Sequence, residues 1–229
     1  MSTHDVQQDA TDGVAQAVAA LRRGELAVLP PDTVYGLAAD AFAPPAVDRL
    51  LAAKGRGRDM PVPVLVGSWR GLDGLAQHVT PTMRGLVEAF WPGPLTLIVR
   101  AAPSLAWDLG ETRGTVAVRM PLHPVALAVL AETGPLAVSS ANRSGQPPAS
   151  EIEQAISQLG SSVAVYLDAG STGAAVASTI LDLTGDRPLI RRSGTVTPDE
   201  LRELLPDLLP DLLPDPLPDP PLPDDEPRA

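Results

Sequence analysis

Leu95-Thr96-Leu97-Ile98-Val99 and Thr115-Val116-Ala117-Val118 decide the fold class. Each is a short apolar run rich in aliphatic and β-branched residues, and each reads as a strand. No helical pattern lies between them, although a chain of pure βαβ units would put one there. Val163–Leu167 and Thr179–Leu183 repeat the situation. Further strands are expected at Leu26–Leu29, Val62–Val66, Leu136–Val138 and Leu189–Arg191, with Pro63 placing the second of these at a sheet edge. Helices are expected over 14–21 with a stop at Gly24, and over 44–53, opened by Pro44-Pro45 and stopped by Gly55. Others fall near 69–78, 82–90, 124–132 and 198–205. Ser150-Glu151-Ile152-Glu153 reads as a capping box for one more, ending at Gly160. The expected class is α/β in the mixed α+β sense: a twisted mixed parallel/antiparallel sheet of about seven strands with helices on its faces.

The chain has 229 residues, enough for one large domain with appendages. Hydrophobic residues make up 44% and aromatics 3%, so the core must be built from Ala, Val, Leu and Ile. With no cysteine, disulfides, thiolate nucleophiles and cysteine–zinc sites are excluded, in keeping with a reducing, cytoplasmic setting. The first residues lack the basic and apolar regions of a signal peptide, and no apolar run is long enough to span a bilayer.

The net charge of −11 is unevenly spread. Residues 196–229 hold ten acids against two arginines, while the rest of the chain holds 15 cations against 18 acids. The body is nearly balanced and can still gather cations locally. Leu-Leu-Pro-Asp occurs three times between Leu204 and Asp215. A proline every fourth residue removes helix hydrogen bonds and favours extended backbone. The expected organisation is a flexible N-terminus over 1–11, a folded domain over 12–205, and a disordered acidic Pro-rich tail over 206–229.

Five places past strand ends offer chemistry. Pro31-Asp32-Thr33-Val34-Tyr35-Gly36-Leu37 is a rigid turn presenting Thr33 and Tyr35. Lys54-Gly55-Arg56-Gly57-Arg58 puts three cations in five residues, suited to an anion or to capping a helix C-terminus. Arg119 ends a buried strand and needs an anionic partner, from the protein or from a substrate. Ser139-Ser140-Ala141-Asn142-Arg143-Ser144-Gly145 is a turn of hydroxyl and amide donors. Ala177–Asp182 and Leu189–Gly194 bring Ser178 and Arg192. Neither Gly-x-x-x-x-Gly-Lys-Ser/Thr nor Gly-x-Gly-x-x-Gly is present. Histidines stand at 4, 78 and 123 only, and no metal-ligand spacing is evident.

In this order the segments resemble the YrdC-like family, the L-threonylcarbamoyladenylate synthases of the short, single-domain type. The matching pieces are Pro31–Leu37, Lys54-Gly55-Arg56, Trp91–Thr96, Arg119-Met120-Pro121, Ser140–Gly145, Ser178–Asp182 and Arg192-Ser193-Gly194. The resemblance implies an enzyme, a nucleotidyltransferase, condensing L-threonine, bicarbonate or CO2 and ATP into threonylcarbamoyl-AMP and pyrophosphate. It implies that Mg2+ is carried with ATP, that no metal is held by the protein, and that proteins completing threonylcarbamoyladenosine on tRNA take the product. By the same resemblance Lys54 and Arg56 are catalytic and bind ATP together with Met60, Thr115, Ser140, Asn142, Pro148 and Arg192. Threonine falls to Thr33, Tyr35, Arg119, Val138 and Ser178. The chain departs from the family pattern at Gly57, Met60 and Leu65, where Pro, Asn and His are frequent. An RNA-binding module of the same fold, with weak tRNA binding, is the alternative, opposed by the acidic balance. A serine hydrolase using Ser140 or Ser144 lacks a base.

Overall fold

The structure, a computed structural model, describes residues 1–30, 32–172 and 176–208. Ten strands form one mixed sheet. In chain order they are β1 (Ser2–Asp5), β2 (Ala27–Leu29), β3 (Gly36–Asp40), β4 (Val64–Leu65), β5 (Leu95–Arg100), β6 (Thr115–Arg119), β7 (Leu136–Ser140), β8 (Val165–Asp168), β9 (Thr179–Asp182) and β10 (Leu189–Arg192). They lie side by side as β1-β8-β2-β3-β7-β4-β6-β5-β9-β10. β5 and β6 pair antiparallel, in keeping with the absence of a helix between them, β5 pairs β9 in parallel, and β8 and β9, likewise without a helix between them, are not neighbours in the sheet.

Seven α-helices accompany the sheet: α1 (Thr11–Arg22), α2 (Pro44–Lys54), α3 (Gly71–Leu75), α4 (Pro81–Phe90), α5 (Pro124–Thr133), α6 (Ile152–Leu159) and α7 (Pro198–Leu204). Strand alternation divides the core in two. Val28, Leu37, Ala39 and Ala137 join α2, α4, α6 and α7 on one face. Ala27, Leu29, Ala38, Leu136 and Val138 join α1 and α5 on the other. The first cluster continues under β6, β5 and β9 through Val118, Leu97 and Leu181. The second does not extend there. Beyond α5 that second face of the sheet is open, and this opening positions the site.

The structure corrects the sequence reading in several places. The strand count is ten, not about seven. β1, within the stretch expected to be flexible, pairs with β8 through Ser2–Asp5, a polar sequence at a sheet edge. β3, Gly36-Leu37-Ala38-Ala39-Asp40, is made of weak strand formers because it is tightly packed; a Cβ on Gly36 would meet Val138 Cγ1 at 2.7 Å. β4 is interior rather than at an edge, but only two residues long, and Pro63 precedes it while its carbonyl accepts from Val138 N–H. Ser150–Glu153 is no capping box: α6 starts at Ile152, and Ser150 N–H donates to Gln154. The capping box is at α7, where Thr197 and Glu200 satisfy each other's backbone N–H groups. The folded part extends past 205, since Leu205 and Leu208 are buried. The expectation of a disordered tail over 206–229 lies, from 209 onward, outside the described residues.

Candidate active site

A cavity of about 360 Å3 occupies the open sheet face beyond α5, a volume of the order that small-ligand sites have. Its floor is apolar: Leu65 of β4, Ile98 of β5, Ala117 of β6 and Ile180 of β9, with Ala126 of α5 at one wall. Polar groups converge on it from strand ends. Thr33, Arg56, Arg119, Ser140, Ser178 and Arg192 all line it, with Val138 and Pro148. Eight residues anticipated from sequence are thus gathered from segments up to 159 positions apart.

Arg119 ends β6 on this face, and its side chain is only 8% exposed. Asp32 pairs with it, Oδ1 accepting from Nη1 at 2.9 Å. Of the two partners left open by the sequence, the protein carboxylate is present. Burial lowers the proton affinity of Arg119 and Asp32 opposes that. Its other terminal nitrogen is 3.5 Å from the Thr33 hydroxyl.

Arg192 reaches the cavity through an irregularity of β10. Ile190 pairs with Leu181 and Arg192 with Ile180, so the register slips by one at Arg191. Without the slip Arg192 would share the core-facing side of Ile190. The bulge turns it onto the cavity face. Its Nε and Nη2 donate to the Ser178 carbonyl at 3.0 and 2.8 Å, and Nη2 also meets Ser178 Oγ at 3.0 Å. That hydroxyl lies 2.9 Å from Thr96 Oγ1. Arg56 donates to Ser139 Oγ at 3.1 Å, and its buried Nε has no hydrogen-bond partner. Burial lowers the proton affinity of both arginines; Arg119 does so further for Arg192, whereas Asp59 works the other way on Arg56. Neither forms an ion pair with an acid among the described residues. Two guanidinium groups that share one cavity and form no ion pair among the described residues, Arg56 partly buried and Arg192 more exposed, offer a site for an anion.

Five anticipated residues do not line the cavity. Lys54, 3% exposed, ends α2 before the left-handed Gly55, and its ammonium turns into the protein. Nζ donates to the carbonyls of Ser140 at 2.5 Å and Asn142 at 2.7 Å, and Ser144 N–H donates back to the Lys54 carbonyl. Burial, then Arg56, pulls Lys54 down to about 8. Asn142 is spent locally on the carbonyls of Arg143 and Gln146. Thr115 donates to Thr112 O at 2.7 Å. Met60 is 53% exposed, outside the cavity. Tyr35 is fully buried; its hydroxyl donates to Gly170 O at 2.7 Å and accepts from Ala169 N–H at 3.0 Å. Desolvation pushes it up to about 12.

Sequence reasoning missed Thr96, Ser139 and Asp32. Alternation in Leu95–Arg100 puts Thr96 on the same side as Ile98, opposite the core residues Leu95, Leu97 and Val99; that was the available signal. Among the described residues no group of three or more His, Asp or Glu could hold a metal ion, and no helix is long and apolar enough to cross a membrane.

The model of the Sua5/YciO/YrdC family, described as "Telomere recombination", matches residues 19–194. A Mycobacterium tuberculosis (strain H37Rv) protein named "Putative threonylcarbamoyl-AMP synthase" is 57% identical over 193 residues, 84% of this chain and 89% of that protein. The threonylcarbamoyl-AMP synthase of Bacillus subtilis (strain 168) is 38% identical over 208 residues, 90% of this chain and 58% of that protein. The crystal structure of Pyrococcus abyssi Sua5 complexed with L-threonine superposes with a TM-score of 0.86 at 31% identity, covering 92% of this chain and 63% of that one. The chain therefore spans less than two thirds of these last two.

Proposed function

The chain belongs to the Sua5/YciO/YrdC family, and from that premise we propose that it is a threonylcarbamoyl-AMP synthase. The reaction joins L-threonine, bicarbonate or CO2, and ATP, and releases pyrophosphate. The observation that carries this reading is the convergence of three guanidinium groups on one cavity, Arg56 and Arg192, neither ion-paired among the described residues, with Arg119. Partial desolvation of these charges lowers their proton affinity, and a ligand of opposite sign offsets that cost. A triphosphate does so, and a leaving pyrophosphate keeps doing so.

In this assignment the threonine carboxylate meets donors of Arg119 that Asp32 does not occupy. Thr33 and the Thr96–Ser178 hydroxyl pair adjoin it. The free amine attacks the carbon of CO2 or bicarbonate, giving a carbamate, with water leaving in the second case. A carbamate oxygen then attacks the α-phosphorus, and the bond to the β-phosphate oxygen breaks. No protein nucleophile is needed; the protein aligns reactants and offsets charge. That makes the enzyme a nucleotidyltransferase. Mg2+ enters as part of the MgATP substrate, and the acyl-adenylate passes to proteins that modify tRNA. Ser140 and Pro148 contribute to the nucleotide side and Val138 to the threonine side. Lys54 and Asn142 serve that side indirectly, by holding the 140–144 turn.

The test is pyrophosphate release from ATP by the purified protein. Release requiring threonine and bicarbonate together, with the acyl-adenylate seen by mass spectrometry, is expected. ATP consumption indifferent to threonine, or salt-sensitive RNA binding without it, would overturn the reading.

A further inference from the structure

Two buried polar atoms have no hydrogen-bond partner among the described residues: Oδ2 of Asp32, the carboxylate that pairs with Arg119, and His123 Nδ1. They are chemically complementary. A carboxylate oxygen only accepts, whereas a neutral imidazole donates from one of its ring nitrogens. An orphaned buried acceptor or donor is expensive, so two of opposite kind within electrostatic reach of each other call for a shared water.

The placement of His123 supports the pairing. It follows Arg119 by the short link Met120-Pro121-Leu122 and is the N-cap residue of α5, the helix whose Ala126 lines the cavity. Its ring makes no capping bond to the helix, so Nδ1 is not spent there. Burial holds the imidazole below its ordinary range, and the Asp32 carboxylate acts on it in the opposite direction. The ring is therefore neutral near pH 7 and within electrostatic reach of that carboxylate. Asp32 in turn grips Arg119 with its other oxygen at 2.9 Å.

Resting on the synthase reading above, we propose that His123 is a positioning residue for threonine. Its Nδ1–H donates through one water to Asp32 Oδ2 and fixes the carboxylate that aims the Arg119 guanidinium. The guanidinium has several donors, and Asp32 takes one terminal nitrogen. Holding Asp32 still decides which nitrogens remain for the substrate carboxylate. His123 touches neither substrate; its effect falls on the threonine side of the cavity and leaves the Arg56 side alone.

The experiment measures KM for threonine and for ATP in the full chain carrying His123→Ala, His123→Asn and His123→Gln, alone and with Asp32→Asn. An asparagine amide overlays the Nδ1 position, whereas glutamine carries its amide to the Nε2 position. His123→Ala and His123→Gln should raise the threonine KM about tenfold, the typical worth of a hydrogen bond to a charged group, with the ATP KM unchanged. His123→Asn should restore it. Adding His123→Ala to Asp32→Asn should cost nothing further, because the carboxylate it steadies is gone. If His123→Ala does not fold, the Asn and Gln variants decide alone. The proposal is overturned if the threonine KM stays at the wild-type value in His123→Gln, if both KM values rise together, or if Asn and Gln behave alike. A wild-type protein with no threonine-dependent turnover would overturn the functional reading itself, and the proposal with it.

Discussion

Lys54 is the sole lysine of the chain, against 16 arginines, and replacing it by methionine separates two roles. Methionine keeps the buried stem and removes the ammonium. Two carbonyls then lose a charged donor, those of Ser140 at 2.5 Å and Asn142 at 2.7 Å. Hydrogen bonds to charged groups contribute about 1.5–3 kcal/mol each. Relief of the ammonium's desolvation, visible in its descent to about 8, returns part of that. The expected net loss is about 2–3 kcal/mol, or roughly 5–10 °C in Tm for a chain of this size. Differential scanning calorimetry without ligand measures it. Turnover should fall as well, since the turn carrying Ser140 is no longer pinned. Had Lys54 instead been a phosphate ligand, methionine would relieve a buried, uncompensated charge. The free protein would then melt at the wild-type temperature or above while ATP binding was lost. That combination would refute the argument.

Three further outcomes are expected. Arg56→Ala should lower turnover by roughly two to three orders of magnitude, as the loss of a donor to developing charge does, with ligand-free Tm little changed; steady-state pyrophosphate release measures it. Tyr35→Phe should destabilise the fold by about 1–2 kcal/mol through its unpaired partners on Gly170 and Ala169 and leave the threonine KM unaltered, which kinetics on the soluble fraction will check. Stability should respond to Lys54 above pH 8. The folded chain releases that proton at about 8 and the unfolded chain near the ordinary 10.5. Between these values the unfolded state holds more protons, so stability rises with pH there. A melting series from pH 8 to 10.5 should show the rise in the wild type relative to Lys54→Met.

The fold was legible where the pattern was strong. Leu95–Val99 and Thr115–Val118 pointed to a mixed sheet by lacking a helix between them, and the glycines at 24 and 55 marked helix ends by positive φ. β3 was not legible, because Gly36, Ala38 and Ala39 are chosen for thinness against β7 rather than for strand propensity. β1 was not legible either: Ser2-Thr3-His4-Asp5 has no apolar face, and only β8 makes it a strand. In the site, the residue types were readable and their directions were not. Tyr35 and Thr33 stand two apart in one turn, yet one faces the cavity and the other is sealed among the carbonyls and amides of 169–170.

Arg191 and Arg192 show why direction escapes a one-dimensional reading. They are chemically identical neighbours, and the sequence offered only the choice between a phosphate clamp and a surface cation. The structure assigns one destiny to each. Arg191 donates through Nε and Nη2 to Asp182 Oδ2 at 2.9 and 2.7 Å, a paired and half-exposed cation. Arg192, turned by the register slip, donates to the Ser178 carbonyl and hydroxyl, forms no ion pair among the described residues, and lines the cavity. Arg22, Arg23, Arg58, Arg84 and Arg202 pair with acids at the surface. Arg56 and Arg192 are supported by neutral oxygen atoms, which orient a guanidinium without cancelling its charge. A net charge of −11 is therefore compatible with a site that attracts a polyanion. Acids screen the arginines they pair with, whereas Arg56 and Arg192 direct unpaired charge into one partly enclosed cavity, where a lower dielectric strengthens it.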